Sequence, residues 1–512
     1  MADRAQPLGA AGWLGIGAAI LVIALILGPL ALVLWRAGGL SPLRPGDWAA
    51  VRFTLLQAGL SAALSVLLAV PVARALARRR FAGRGLLITL IGAPFILPVL
   101  VAVLGLLAVF GRAGLLNAAL QWAGLPQIGI YGLQGVVLAH VFFNLPLAVR
   151  LILQGWLAIP AERFRLAASL RFGRREMFWQ LEMPLLKERV PGVALLIFLL
   201  CLTSFAVALT LGGGPRASTV ELALYQAFRF EFDLPRVAAL ALLQIALSAV
   251  ATLACLWLVL PAGLAGGLDR RVERWDRSAF DGMALGLAAL FLLAPLVLVL
   301  LRGVPQVPGL PVSIWLAALR SVLVASAATL LAVGLGLALA LASLRLRGVE
   351  MLAMLALAGS PVVIGAGLFL ALHLWVDPAA LALPVTAVVN GVMALPLVVG
   401  SLVPALRTIE AEYGRLADHL GLQGVARLRL LVLPRLRPPL GFAAGLVAAL
   451  SMGDLGVVTL FADTSRATLP MQIYGLMGAY RMEQAAGAAV VLAGLSFGLY
   501  WLFDCWGRHA VL

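Results

Sequence analysis

Apolar runs close to twenty residues long recur from one end of this 512-residue chain to the other, separated by turns and short charged stretches. Such a run crosses the ~30 Å hydrocarbon core of a bilayer as an α-helix, which satisfies every backbone N–H and C=O inside the segment. Strands of a membrane β-barrel would instead show short alternating patterns, so the runs read as helices. Twelve are expected, at roughly 13–35, 51–77, 86–110, 133–155, 190–211, 236–260, 282–301, 316–343, 350–374, 381–403, 438–460 and 485–504. Composition agrees: 12% of residues are charged, where soluble domains carry about a quarter, and the mean hydropathy is +1.06. The first run, from Trp13 to Trp35, is too long for a signal peptide, lacks a clear small-residue cleavage site and is followed by more spans, so it is expected to stay. The fold class is an all-α polytopic membrane protein.

The formal net charge of +16 could suggest a nucleic-acid partner. The positions of the charges argue otherwise. With twelve helices and both termini on one side, most Lys and Arg fall on that side, at Arg78-Arg79-Arg80, Arg163 to Arg189, Arg270-Arg271-Arg274-Arg277 and Arg407 to Arg437. Positive-inside reasoning makes that side cytoplasmic, N- and C-termini included, so the basic excess records topology. Cys201, Cys255 and Cys505 sit in or beside apolar runs without metal-ligand or pairing spacing, and the four histidines are scattered. No metal site is expected.

One stretch departs from the apolar background: "AERFRLAASLRFGRREMFWQLEMP", residues 161–184. It returns 250 residues later as "AEYGRLADHLGLQGVARLRLLVLP". Between the copies, Glu162 matches Glu412, Arg165 matches Arg415, Leu166-Ala167 matches Leu416-Ala417, Leu170 matches Leu420 and Pro184 matches Pro434. Leu145-Pro146-Leu147 matches Leu395-Pro396-Leu397 at the same spacing, and "TVELALY" (219–225) matches "TLPMQIY" (468–474) at a spacing of 249. In so leucine-rich a chain the Glu, Arg and Pro matches carry the weight. Two parallel repeats follow: 1–260 with its loop at 159–187, a cytoplasmic linker at 261–281, and 282–512 with its loop at 409–437. Each loop reads as a short amphipathic helix, a turn and a second short helix before the next span. Apolar residues rimmed by charge mark a docking surface, and each loop offers a set: Leu166, Ala167 and Leu170; Leu416, Ala417 and Leu420.

The paired loop resembles the coupling loop of ABC-importer permeases, whose motif runs E-A-A, three residues, G, nine residues, I-x-L-P. In the second copy Ala417, Leu420, Gly421, Leu431, Leu433 and Pro434 fall in register; in the first, Ala167, Leu170, Leu181 and Pro184 do. The motif's glutamate position holds Arg165 and Arg415, its glycine position holds Arg171 in the first copy, and Met183 replaces the leucine before the proline. With Arg171 there and Gly173 two residues on, the first turn is expected to be displaced or differently built. Over nearly its whole length, in "ARALARRRFAGRG", "ILPVLVAVLG", "YGLQGVVLAHVFFNLPLAVRLILQ" and "LTLGGGPRASTVELALYQA", the chain resembles the thiamine ABC transporter permeases of Gram-negative bacteria. Ferric-iron permeases share the fused double-six, type I importer-like architecture. The resemblance implies an inner-membrane subunit importing thiamine and its phosphate esters. Two copies of a cytoplasmic ATPase, holding ATP and Mg, would drive it, and a periplasmic binding protein would deliver the substrate.

No G-x-x-x-x-G-K-[ST] occurs, and "GGGPRAST" at 212–219 lacks the lysine and a preceding strand, so this chain is expected to be a transport subunit with no catalytic residue and no bound cofactor. An ion-coupled secondary transporter is the rival class. It would need an ionisable residue at membrane depth, for which His140, His373 and Asp454 are the candidates. Polar residues that could line a path or gate include His140, Asn144, Ser204, Asn390 and Asp454, beside Gln57, Gln154, Thr203 and Gln244. Phe142 and Phe143 could offer a π-face to a cation, although adjacent phenylalanines in a membrane helix are more often packing. Asn144 and Asn390 each precede a proline but do not align at the 250 spacing. Asp454 has Phe205 as its counterpart, and an ion pair with Arg466 or Arg481 is the structural alternative to a gate.

Overall fold

The computed structural model describes residues 10–79, 81–85, 87–88, 96–214, 217–258, 279–346, 348–461 and 466–508, and every regular element among them is helical. Residues 86 and 89–95 of the third expected span, and 261–278 of the linker, lie outside the described residues. The first half runs α1 (Ala10–Ala37), α2 (Pro45–Arg78), α3 (Val99–Phe110), α4 (Leu115–Trp122), α5 (Leu133–Ala158), α6 (Ala161–Ser169), α7 (Arg174–Met177), α8 (Met183–Leu202), α9 (Ala206–Leu211), α10 (Val220–Gln226) and α11 (Leu234–Leu258). The second runs α12 (Ala279–Gly303), α13 (Val312–Ser343), α14 (Val349–Ala358), α15 (Pro361–Leu372), α16 (Pro378–Met393), α17 (Leu395–His419), α18 (Gly424–Arg427), α19 (Leu433–Met452), α20 (Gly456–Phe461), α21 (Leu469–Gly478) and α22 (Met482–Arg508).

Nine described helices are long and apolar enough to cross a membrane, or up to eleven if each of two bent pairs is one span. The chain is thus all-α and multi-pass. Proline accounts for the sharper of the two bends. Pro361 starts α15 and holds Ser360 in extended backbone, where the Ser360 hydroxyl accepts the Val363 N–H at 3.2 Å and caps the new helix. The α14 and α15 segments are bent by 93° there. The run expected at 190–211 is also two helices, α8 and α9, separated at Thr203–Phe205, where no proline stands.

Two compact units form, and they do not follow sequence order. One comprises 44–223 with 247–307; the other comprises 1–43, 224–246 and 308–512. Each half thereby gives its first helix to the unit built mainly from the other half. In the first unit α12 packs on α3 and α2; in the second α1 packs on α15 and α13. The two exchanges are built alike. A Cβ on Gly105 of α3 would lie 2.7 Å from the Pro295 carbonyl of α12, and one on Gly367 of α15 would lie 2.3 Å from the Pro29 carbonyl of α1. Only glycine permits each crossing, because small residues let two backbones approach within a membrane. A second shared device ties each long helix to a later short one. Thr54 Oγ1 of α2 accepts the Val220 N–H at 3.0 Å, and Ser321 Oγ of α13 accepts the Leu469 N–H at 2.8 Å. Both acceptors are buried, where each such bond contributes about 1 kcal/mol net.

Candidate functional site

The two charged loops are near copies down to their hydrogen bonds. At the end of α6, Leu170 N–H donates to Leu166 O, Arg171 N–H to Ala168 O and Phe172 N–H to Ala167 O. At the end of α17, Leu420 N–H donates to Leu416 O, Gly421 N–H to Asp418 O and Leu422 N–H to Ala417 O. These are matching left-handed helix ends in which the residue after the last turn carries positive φ. Gly421 has φ +65° and Arg171 has φ +53°. The expectation of a displaced or differently built first turn is therefore overturned: Arg171 adopts the left-handed conformation itself, and Gly173 is not needed for it. Each loop then passes through a π-helical segment, Phe178–Glu182 or Leu428–Val432, just before Pro184 or Pro434. A π turn shifts the hydrogen-bond ladder where the proline supplies no N–H.

Two further features differ from the sequence reading. In the first half Pro160 holds Ile159 in extended backbone and separates α5 from α6. The equivalent position in the second half is Glu410, so α17 continues unbroken to His419 and no separate amphipathic helix exists there. The docking faces are also narrower than expected. Leu166, Leu170, Leu416 and Leu420 are exposed, at 55–65% of their surface, whereas Ala167 and Ala417 are buried at 2%. Each alanine faces its own unit, and a pair of leucines remains on each outer surface. Glu162, Arg165, Glu412, Arg415, Pro184 and Pro434 are exposed beside them.

The loops are held by different chemistry. Glu182, buried at the end of the first π segment, accepts Arg74 Nε at 2.7 Å on Oε2 and Arg78 Nη2 at 2.5 Å on Oε1. The Arg74 guanidinium also lies 5.3 Å from the Phe178 ring centroid. Position 432 in the second loop is a buried valine. There Arg427 pairs with Glu410 and, at 2.7 Å, with Asp418, while the Arg435 guanidinium stacks 3.8 Å over the Tyr413 ring.

At membrane depth, the unit holding α5 carries a connected polar cluster. His140 Nε2 lies 2.8 Å from Ser204 Oγ, and its Nδ1 lies 3.4 Å from Ser61 Oγ. Asn144 Nδ2 donates to His140 O at 2.9 Å and approaches Cys201 Sγ at 3.4 Å; Gln57 Nε2 donates to Cys201 O at 2.9 Å. The cluster sits where α8 breaks, so side-chain bonds gather at backbone freed by the break. In the other unit Asn390 Nδ2 donates to Ser451 Oγ at 3.0 Å, beside the break between α19 and α20. Position 390 is position 140 plus 250, so the counterpart of Asn390 is His140, not Asn144. Asp454 Oδ1 accepts the Gly456 N–H at 3.1 Å and caps α20; the described ion pairs include none with Arg466 or Arg481. Phe142 is fully buried, edge-on to Phe143 at 5.6 Å and to Phe291 at 5.9 Å, as in ordinary aromatic packing. Sequence reasoning missed Ser61, Cys201 and Ser451, which no charge or motif marks. It also missed the contact that joins Glu182 of the 161–184 stretch to Arg74 and Arg78 of α2. Among the described residues no group of His, Cys, Asp and Glu could hold a metal ion.

No family model matches the chain. The thiamine transport system permease protein ThiP of Salmonella typhimurium is 41% identical over 100% of this chain and 99% of its own length. The corresponding Escherichia coli protein is 39% identical over 98% of each chain. The molybdenum transport system permease protein ModB of Azotobacter vinelandii is 31% identical over 36% of this chain and 80% of its own length. With near full-length likeness at this level, the chain belongs to the family of thiamine transport system permease proteins.

Proposed function

We propose that this chain is the membrane-spanning permease subunit of a binding-protein-dependent ABC importer, carrying thiamine, and its phosphate esters, into the cytoplasm. ATP is hydrolysed by a separate subunit present in two copies, and a periplasmic binding protein delivers the substrate. The observation that carries this reading is the 41% identity to a thiamine permease along the whole of both chains. Two loops with matching turns and matching leucine pairs suit two copies of one ATPase, and the Lys- and Arg-rich side that carries them is taken as cytoplasmic, with both termini. The architecture proposed is twelve membrane helices in two fused six-helix repeats, 1–260 and 282–512, joined by the 261–281 linker. In its support, a shorter permease matches this chain over 80% of its own length but only 36% of this one. The repeated Thr54 and Ser321 ties and the paired Gly–Pro crossings also fit two copies of one plan. His140, Asn144 and Ser204 in one unit and Asn390 and Asp454 in the other are proposed to border the path, with Phe143 beside the first group.

The test is ATP hydrolysis by the permease–ATPase complex in lipid nanodiscs with thiamine-loaded binding protein. Hydrolysis should rise above the level with empty binding protein. Stimulation by a ferric-iron receptor in place of the thiamine receptor would assign the other substrate class.

A further inference from the structure

Glu182 stands out because nothing in the fold requires a carboxylate there. The same backbone position in the second half, at the end of an equivalent π segment, holds the buried apolar side chain of Val432. Apolar packing therefore satisfies this geometry, and buried ion pairs are often replaceable by apolar groups without loss of stability. In the first half the carboxylate instead takes Arg74 and Arg78, one turn apart on α2 and only 26% and 11% exposed in their side chains. Both carboxylate oxygens are engaged. The second loop's described ion pairs, by contrast, run from Arg427 to Glu410 and Asp418 on α17, and its Arg437 guanidinium lies 5.4 Å from the Trp506 ring centroid of α22. Among the described residues, the first loop is thus fastened through a buried carboxylate to α2, whereas the second loop's ion pairs go to α17, the helix that leads into it.

That helix leads to the polar cluster. Seventeen residues before Arg74, α2 carries Gln57, and four further on Ser61, the two α2 residues bonded to Cys201 and His140. The helix is continuous between them, so at about 1.5 Å per residue it links the loop to the cluster over roughly 25 Å. We propose that Glu182 is a positioning residue that transmits motion of the first coupling loop to α2, and through it to the Gln57–His140–Ser204 cluster. This holds only for an importer driven by a separate ATPase, as proposed for this chain.

The α2 and α13 helices correspond at a spacing of 267 residues through Thr54 and Ser321, which sets Arg74 against Leu341 and Arg78 against Arg345. Glu182→Val with Arg74→Leu therefore gives the first half the residues the second half already uses. This pair and Glu182→Gln are compared with wild type in the full permease–ATPase complex in nanodiscs. The readouts are the ATPase copurified, basal hydrolysis, and hydrolysis stimulated by thiamine-loaded binding protein. The expected result for the double variant is normal assembly and basal hydrolysis, with the ratio of stimulated to basal rate falling by roughly 5- to 150-fold, the usual span of coupling between sites. Glu182→Gln should lose stimulation in the same way. Normal stimulation in the double variant would overturn the proposal, as would a loss of assembly in step with stimulation, which would mark the contact as a folding element. If the wild-type complex itself shows no stimulation, the importer function fails instead.

Discussion

Replacing Gly421 by valine isolates the left-handed turn of the second loop from everything around it. A Cβ added at Gly421 meets nothing within 4 Å, so the β-carbon itself has room and no side-chain contact is removed. What remains is backbone. A non-glycine residue held in the left-handed region costs about 1–3 kcal/mol, with a β-branched one toward the upper end, and losing glycine's unfolded-chain entropy returns about 0.5–1 kcal/mol. The net cost of about 1–2 kcal/mol lowers the population of the correct turn roughly 5- to 30-fold. Leu416 and Leu420, in the last turn before it, lose their placement with it. The first loop supplies the control, because Arg171 already sits at φ +53°. Arg171→Gly relieves about 1–2 kcal/mol of strain against the same entropy term, so it should be neutral or slightly stabilising. Substrate-stimulated ATP hydrolysis is measured in reconstituted complexes carrying one change at a time, together with the thermal midpoint of each. Gly421→Val should lower stimulated hydrolysis and Arg171→Gly should not. Equal losses from the two, no loss from Gly421→Val, or a lowered midpoint for Arg171→Gly would refute the reasoning.

Leu166→Asp should leave the thermal midpoint nearly unchanged while reducing the amount of ATPase that copurifies, because the side chain is exposed. Ala167→Leu should lower the midpoint, since overpacking a site only 2% exposed costs about 1–3 kcal/mol. His140→Asn supplies the residue that the second half uses at this place and should accumulate in membranes; His140→Leu strips partners from Ser61 and Ser204 and should cost about 1–3 kcal/mol, read as reduced accumulation. Asp454→Asn keeps the oxygen that caps α20 but not the charge, so membrane levels should hold while thiamine uptake falls. If Asp454→Asn fails to accumulate, Asp454 is a residue of the fold and not of the gate.

Much of this architecture is written in the order of apolar runs and in one repeated charged insert. Both are legible because a bilayer forces long apolar helices and a repeat preserves its costly residues, here Glu162, Arg165 and Pro184 with their partners 250 residues on. The exchange of first helices is not legible. It depends on Gly105 meeting Pro295 and Gly367 meeting Pro29, and nothing local in a glycine or a proline says which distant backbone it will meet. The Arg171 turn misleads for a related reason: glycine is the economical residue for positive φ, yet a strained arginine holds the same geometry. The placement of Glu182 is not legible, because nothing in a charged insert says which distant arginines it will meet; the fold brings Arg74 and Arg78 of α2 to it. The alanines of the loops look like docking residues beside their leucine neighbours, whereas helix periodicity turns Ala167 and Ala417 inward between exposed leucines.

The most direct measurement is accumulation of radiolabelled thiamine in proteoliposomes that hold this chain with its ATPase partner, with loaded binding protein on one side and ATP on the other. The expected result is uptake against a gradient that requires both ATP and binding protein, is unaffected by a protonophore, and stops when the ATPase is omitted, while the purified chain alone neither binds nor hydrolyses ATP. Uptake that persists without the ATPase and collapses with the protonophore, or robust hydrolysis by this polypeptide alone, would contradict its assignment as the permease subunit of an ATP-driven importer.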